Sequence, residues 1–379
     1  MVKVAFVDDG INQEFIPPGV PFENYNADET GVFLYEPIDG VSHGTMCFQI
    51  FNNNVRTPYH LISIKVLDNL TGSGNHKALI TALDWCAAQD FDIINMSMGT
   101  RQYIDFAAIA AAVGRINKTI IVAACSNENE LTFPACLPSV IGVRHSNRKE
   151  LIGNFAYLHK PYDQINIITC VNDEPISFGD NYIEKMSGAN SFATPLVTAR
   201  ICNYIAEGCS TLDNVKKCLQ SKSVKDTYFA SHAFYKNLMR SWEDCTIPIV
   251  AMPDTTLDAN HKLDALLKVF IQDGYRAIAL SATKKTNTAD FIYSLNWHGS
   301  DMITQPDLIE LYYNFTLPDI LFLQMPMKDM FALPEKLQAD IVLKLPGKQK
   351  EYDIPHETHT LDLKLSAEQL FAEIVKVLT

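Results

Sequence analysis

A serine, a histidine, an aspartate and an asparagine stand at turn-like breaks beside apolar runs, and together they could carry out acyl transfer. Ser191 lies in Ser187-Gly188-Ala189-Asn190-Ser191-Phe192-Ala193-Thr194-Pro195, which runs into the apolar Leu196-Val197-Thr198-Ala199. The stretch predicts a tight turn feeding a buried helix, with Pro195 in the first turn, where a missing N–H costs nothing. A serine at that point is either a helix cap or a nucleophile, because unpaired N–H groups and the helix dipole favour developing negative charge. Attack by a serine needs a base, a group that orients the base, and donors for the oxyanion. His43, in Ser42-His43-Gly44-Thr45, can be the base. Asp8 can orient it, and Asn127 with the Ser191 backbone N–H can form the oxyanion hole. The chain order Asp, His, Ser is one of the known solutions for such a triad. Taken singly, each has a plainer reading: a capping serine, a surface histidine, an Asp-Gly turn.

The elements that must position these residues follow from the apolar pattern. Val4 to Val7 is a continuous apolar run ending in Asp8-Asp9-Gly10, a buried parallel strand with acids at its carboxyl end. Residues 11–40 read as irregular, and Thr45 to Phe51 as helical. Strands are expected at Ile62–Leu67, at Asp92–Gly99 with a polar, glycine-ended tip, at Thr119–Cys125, Val140–Val143 and Ile165–Cys170. Helices are expected at Lys77–Gln89, Tyr103–Ile116, from Ser191 to about Glu207, and at Thr211–Ser221. Strands alternating with helices imply a mostly parallel α/β sheet with helices on both faces, and ligand sites at the carboxyl ends of its strands.

From Ile247 the pattern restarts, with strands expected at 247–252, 275–281, 318–324 and 339–345, and helices at 259–272, 287–297, 306–315 and 366–378. The organisation expected is a catalytic domain over 1–225, a surface connector over 226–246, and a smaller α/β domain of flavodoxin/Rossmann-like character over 247–379. Asp254, Thr255, Ser281 and Thr283 would gather at strand ends there, with ordinary capping as the simpler account. No glycine-rich phosphate loop follows the first of these strands, so nucleotide binding is weakly supported.

Composition narrows the partners. The chain has 379 residues, 47% hydrophobic and 20% charged, enough to bury a sizeable core. A net charge of −13 argues against nucleic acid or an anionic membrane as main partner. No run is long and apolar enough to span a bilayer. Nine scattered cysteines, several inside apolar runs, fit reduced buried thiols in a cytoplasmic protein better than a disulfide framework. No CxxC pair suggests zinc, so no metal and no cofactor is expected.

Residues 1 to about 225 resemble the catalytic domain of the subtilisin-like serine proteases. The resemblance rests on Val4-Ala5-Phe6-Val7-Asp8-Asp9-Gly10-Ile11, with Asp9 where Ser or Thr is usual, and on Ser42-His43-Gly44-Thr45, with Met46 where His is usual. It rests also on Ala123-Ala124-Cys125-Ser126-Asn127-Glu128, on Phe133-Pro134-Ala135 with Pro138 to Val143, and on Ser191-Phe192-Ala193-Thr194-Pro195, with Asn190 where Thr is common. It implies a subtilisin-like fold and peptide hydrolysis through Asp8, His43 and Ser191, with Asn127 in the oxyanion hole. It also implies a cleft in which Ser97-Met98-Gly99 pairs with the substrate backbone and Glu128 to Phe133 line a pocket, made shallow by Thr132 where the family often has Gly. Met98 reads equally well as a core residue. With the first strand starting at Met1, no propeptide is expected, and folding would be unaided or assisted by the C-terminal domain. Nor is a calcium loop evident. The role implied is an intracellular endopeptidase of narrow specificity, such as one that processes a precursor peptide, its C-terminal domain holding the substrate or a maturation partner. The alternative is a protease-derived binding module without turnover.

Overall fold

The computed structural model describes the chain apart from residues 36–38, 69–70, 72, 160, 173–175, 179–181, 185–187, 226, 231, 239–246, 254–256, 297–302 and 345–357. Ser187, Asp254, Thr255 and part of the expected connector therefore lie outside the described residues. The chain divides into two compact units, Met1–Arg101 with Ala108–Ala230, and Gln102–Ala107 with Ser231–Thr379.

The first unit opens with β1 (Val2–Asp8), β2 (Phe22–Asp28), β3 (Gly31–Leu34), α1 (His43–Asn54), β4 (Tyr59–Lys65), α2 (His76–Ala87), β5 (Ile93–Met96) and, from Ala108 on, α3 (Tyr103–Arg115). It continues with β6 (Ile120–Ala124), β7 (Val140–His145), β8 (Phe155–Tyr157), β9 (Ile167–Thr169), the hairpin β10 (Ile176–Phe178) and β11 (Tyr182–Glu184), α4 (Asn190–Ala206) and α5 (Leu212–Lys222). The main sheet has the order β3-β2-β4-β1-β5-β6-β7-β9-β8. Every pairing is parallel except β2 with β3 and β8 with β9 at its two edges. In β1, Val4 pairs with Leu61 of β4 and with Ile93 of β5, and Asp8 comes level with Lys65. Val4 to Val7 are all buried, so both faces of the strand are covered, which is why they read as an unbroken apolar run. Phe6 meets Phe48 and Phe51 of α1 edge-on, and Val197, Ile201 and Cys202 of α4 complete this part of the core.

The second unit contains α6 (His232–Lys236), β12 (Ile249–Met252), α7 (Leu257–Gln272), β13 (Ala277–Ser281), β14 (Ile292–Ser294), α8 (Gln305–Thr316), β15 (Ile320–Gln324), α9 (Met327–Met330), β16 (Ile341–Lys344), β17 (His359–Asp362) and α10 (Ala367–Leu378). Its sheet is parallel throughout, in the order β14-β13-β15-β12-β16-β17. A capping box between Ser366 and Gln369 starts α10. Leu263, Leu267 and Phe270 of α7 pack with Leu370 and Ile374 of α10 in the core.

Three expectations need correction. Residues 11–40 are not wholly irregular, since β2 and β3 lie there; Phe22–Asp28 mixes polar and apolar residues because it is only half-buried. The helix expected at 287–297 is a short 3₁₀ turn followed by β14, because Phe291-Ile292-Tyr293 is a β-branched and aromatic run too brief to show a period. The cysteines are not all free: Cys209 and Cys218 are paired, with Cα atoms 7.4 Å apart, while Cys47, Cys86, Cys125, Cys136, Cys170 and Cys202 are free and buried. Among the described residues no helix is long and apolar enough to cross a membrane.

Candidate active site

β1 delivers Asp8 at its carboxyl end, 1% exposed. Helix α1 begins beside it because several groups fix its first turn. Ser42 is the N-cap: its hydroxyl accepts from the Thr45 N–H at 3.0 Å and donates to the Gly10 carbonyl at 2.7 Å. Asp9, also buried, accepts from the N–H groups of His43 at 3.1 Å and Gly44 at 2.7 Å. These are orphan donors of the helix start, so a carboxylate suits the place. Gly44 lets the helix come this close, because a Cβ there would sit 2.5 Å from the Gly10 carbonyl oxygen. The result is that His43 donates from Nδ1 to Asp8 Oδ1 at 2.8 Å. Asp8 Oδ1 also accepts from the Asp9 N–H at 2.9 Å. The outer face of the imidazole lies over Phe192, with ring centroids 5.3 Å apart.

Ser191 is the second residue of α4, and its N–H has no partner among the described residues. Pro195 is not in the first turn, as its type predicts, but in the second. Its missing N–H leaves the Ser191 carbonyl without a helical partner, and the Cys47 thiol donates to that oxygen at 3.7 Å. The same sulfur lies 3.8 Å from both nitrogens of His43. Among the described residues no hydrogen bond joins Ser191 Oγ to His43; in free enzymes such contacts are commonly long and tighten when substrate is bound.

Asn127 lies in the turn after β6. Its Oδ1 accepts from the Asn190 N–H at 2.8 Å. An N–H can be accepted only by the oxygen, so the NH2 end of this exposed residue is turned the other way and has no hydrogen-bond partner among the described residues. Of the expected cleft residues, the structure brings Gly99 against Thr132. Ser97 is buried, Met98 half-buried and Gly99 exposed, just past β5. Thr100 pairs antiparallel with Phe133, and a Cβ on Gly99 would lie 2.7 Å from the Thr132 methyl. Thr132 is buried; its hydroxyl accepts from the Ser126 N–H at 2.9 Å and donates to the Glu130 carbonyl at 2.8 Å. Glu128 is exposed and ion-paired to Arg101 at 2.9 Å.

Electrostatics follow from the packing. Proton affinity at His43 is raised above its ordinary 6.5, most by negative charge on Cys47 and also by Asp8, with burial opposing. Burial in turn raises the Cys47 thiol above its ordinary value, so near neutrality that sulfur is uncharged and the influence of Asp8 remains. Asp9 is also raised, first by burial and then by the charge of Asp8. Asp8, His43 and Cys47 each offer one ligand atom, all within 4.8 Å of one another. Of the neighbours that complete the site, Cys47 had no signal beyond its small apolar character, whereas Asp9 and Asn190 were visible as departures within motifs. In the second unit, Ser281 Oγ accepts from the N–H groups of Thr283 and Lys284 and donates to Gln324 Oε1, tying the turn after β13 to the end of β15.

The fold and this geometry define a class, a parallel α/β domain with an acid–imidazole pair near a serine at a helix start. A model described as the subtilase family matches residues 1–207, more than half of the chain, and the chain belongs to that family of serine peptidases. It is 30% identical over 172 residues to subtilisin E of Bacillus subtilis, covering 41% of this chain and 43% of that one. It is 27% identical over 171 residues to the minor extracellular protease Epr of Bacillus subtilis, covering 41% of this chain and 25% of that one. The match thus spans less than half the length of either relative. Among solved structures it is similar to a cold-adapted subtilisin-like serine proteinase, with a TM-score of 0.46 and 22% identity over 59% of this chain and 84% of that one. It is similar also to a lanthipeptide protease, with a TM-score of 0.44 and 16% identity over 57% and 78%.

Proposed function

We propose that this chain hydrolyses peptide bonds through Asp8, His43 and Ser191. The observation that carries the reading is the 2.8 Å bond from His43 Nδ1 to the buried Asp8, on a ring packed against the residue after Ser191. His43 takes the Ser191 hydroxyl proton as the oxygen attacks the substrate carbonyl, and passes that proton to the leaving amine. Asp8 holds the tautomer that leaves Nε2 free to act as base, and stabilises the imidazolium. The Asn127 NH2 and the Ser191 N–H receive the oxyanion; that neither donor has a partner among the described residues supports this role. Water activated by His43 then releases the acyl group from Ser191.

The reading extends to narrow specificity for a precursor peptide or protein, held in part by residues 247–379. What supports it is that these residues form an α/β layer with a sheet of its own, beyond the family match at 1–207. Among the described residues, six cysteines are free and buried against one pair, Cys209 with Cys218, a balance that supports an intracellular setting, where reduced cysteines persist.

The test is covalent labelling with a fluorophosphonate, followed by kinetics on a peptide library read by mass spectrometry. Labelling should vanish in Ser191→Ala. His43→Ala and Ser191→Ala should each remove nearly all turnover, and the double variant should be little worse, because triad members act as a unit. A double loss equal to the product of the single losses refutes the assignment.

A further inference from the structure

We propose that Asn190 is a positioning residue that locks the nucleophile and the oxyanion donor to one another; this rests on the peptidase reading above. Asn190 is 5% exposed and is the first residue of α4. Its backbone N–H donates to Asn127 Oδ1 at 2.8 Å, which turns the Asn127 NH2 outward. Its side chain uses both ends. Nδ2 donates to the Ser126 carbonyl at 2.7 Å, in the turn after β6, and Oδ1 accepts from the His145 N–H at 2.7 Å, at the end of β7. One residue therefore stitches the start of the nucleophile helix to the ends of two neighbouring strands. The next residue in the chain is Ser191.

Few side chains can make this bridge. It needs a donor and an acceptor on one short planar group. Aspartate has no donor when ionised and would set an oxygen against the Ser126 carbonyl. Threonine offers a single hydroxyl in place of the two ends. Alanine leaves the Ser126 carbonyl and the His145 N–H without their partner.

His145 backs the bridge from the other side. Its Nδ1 accepts from the Val171 N–H at 3.3 Å, so its Nε2 carries the proton and donates to Asn147 Oδ1 at 3.0 Å. Gly188 rests on this ring so closely that a Cβ there would lie 2.3 Å from Nε2. The segment before Ser191 is thus held at Gly188 by contact and at Asn190 by hydrogen bonds. The placement bears on rate, because a shift of about 1 Å in a reacting or stabilising group can cost on the order of 10²-fold.

The experiment compares Asn190→Ala, Asn127→Ala and the double variant in the full chain, on one peptide substrate, with Tm recorded for each. Asn190→Asp is included because it keeps the volume and the acceptor for His145 should the alanine variant fail to fold. Either Asn190 variant should lower kcat by about 10- to 100-fold with KM little changed. The double variant should lose less than the product of the single losses, since part of what Asn190 positions is the donor that Asn127→Ala has already removed. A double loss equal to the product of the singles, or Asn190 variants with full kcat, overturns the positioning role while leaving the peptidase reading intact. If Asn127→Ala alone keeps its kcat, the oxyanion assignment fails first and the inference with it.

Discussion

Cys47 and His43 are one helical turn apart in α1, and the Cys47 sulfur lies 3.8 Å from each imidazole nitrogen. With Asp8 they form a soft–intermediate–hard donor set whose ligand atoms lie within 4.8 Å. A thiophilic cation held there would occupy the imidazole that must act as base. Micromolar Hg²⁺ is expected to abolish turnover of the parent chain, and Cys47→Ala to keep activity in the same titration. Equal sensitivity of the two proteins would show that the cation acts elsewhere.

Gly44 sits where α1 crosses the end of β1. A Cβ there would lie 2.5 Å from the Gly10 carbonyl oxygen, 3.0 Å from Asp9 Oδ1 and 3.1 Å from Asp8 Cβ. Backbone cannot yield as a long side chain does, so the helix carrying His43 would have to move. Gly44→Ala is expected to lower stability by about 1–3 kcal/mol and to reduce kcat far more than an equal destabilisation at a distant site. A thermal melt beside steady-state kinetics checks it. An unchanged Tm with full activity would mean that the helix start has slack.

Most of the framework that places Asp8 was legible, because β1 is buried on both faces from Val4 onward and so reads as an unbroken apolar run. His43 and Ser191 were legible for a related reason: each opens a helix, and helix starts carry their own capping and small-residue signals. Cys47 was not, since its contact with the Ser191 carbonyl joins positions 144 residues apart and depends on the gap that Pro195 leaves in α4. Nor was the Asn190 bridge, because sequence shows an asparagine but not which strands end within reach of it. β14 failed for want of length: three residues cannot display a period.

The proton affinity of His43 gives opposite signs for activity and stability. Its folded value is raised above 6.5, with Cys47 the largest influence and Asp8 the one that persists at neutrality. Protonated His43 therefore adds stability that is complete below 6.5 and is lost as pH rises through the folded value. Turnover needs the neutral ring, so kcat/KM should rise over that same window. Asp8→Asn removes the carboxylate and should move the titration of His43 downward. Proton NMR of the ring, assigned with His43→Ala, measures this; a titration that stays put in Asp8→Asn would contradict the pairing.

Arg144 and Asp163 form an ion pair at 2.7 Å, 2% and 0% exposed. Burial opposes the guanidinium charge, and the carboxylate beside it more than restores it, so Arg144 stays charged. The Arg144 Nε also donates to Asn129 Oδ1 at 3.0 Å. Asn129 is in the left-handed region, with φ of 59°, two residues beyond Asn127 in the same turn. The pair thus anchors the turn that carries the oxyanion donor, and the two jobs can be separated. Arg144→Met strands a buried carboxylate and should cost about 3–5 kcal/mol of stability. Adding Asp163→Leu removes the stranded charge and should recover most of that loss, because apolar replacements of a buried pair are often neutral. The hydrogen bond to Asn129 stays absent in the double variant, so its kcat should remain low although its Tm returns. Asn129→Gly, which suits the left-handed backbone and lacks only the acceptor, should reproduce that low kcat with Tm near the parent value. Recovery of kcat in step with Tm in the double variant would show that the pair serves stability alone.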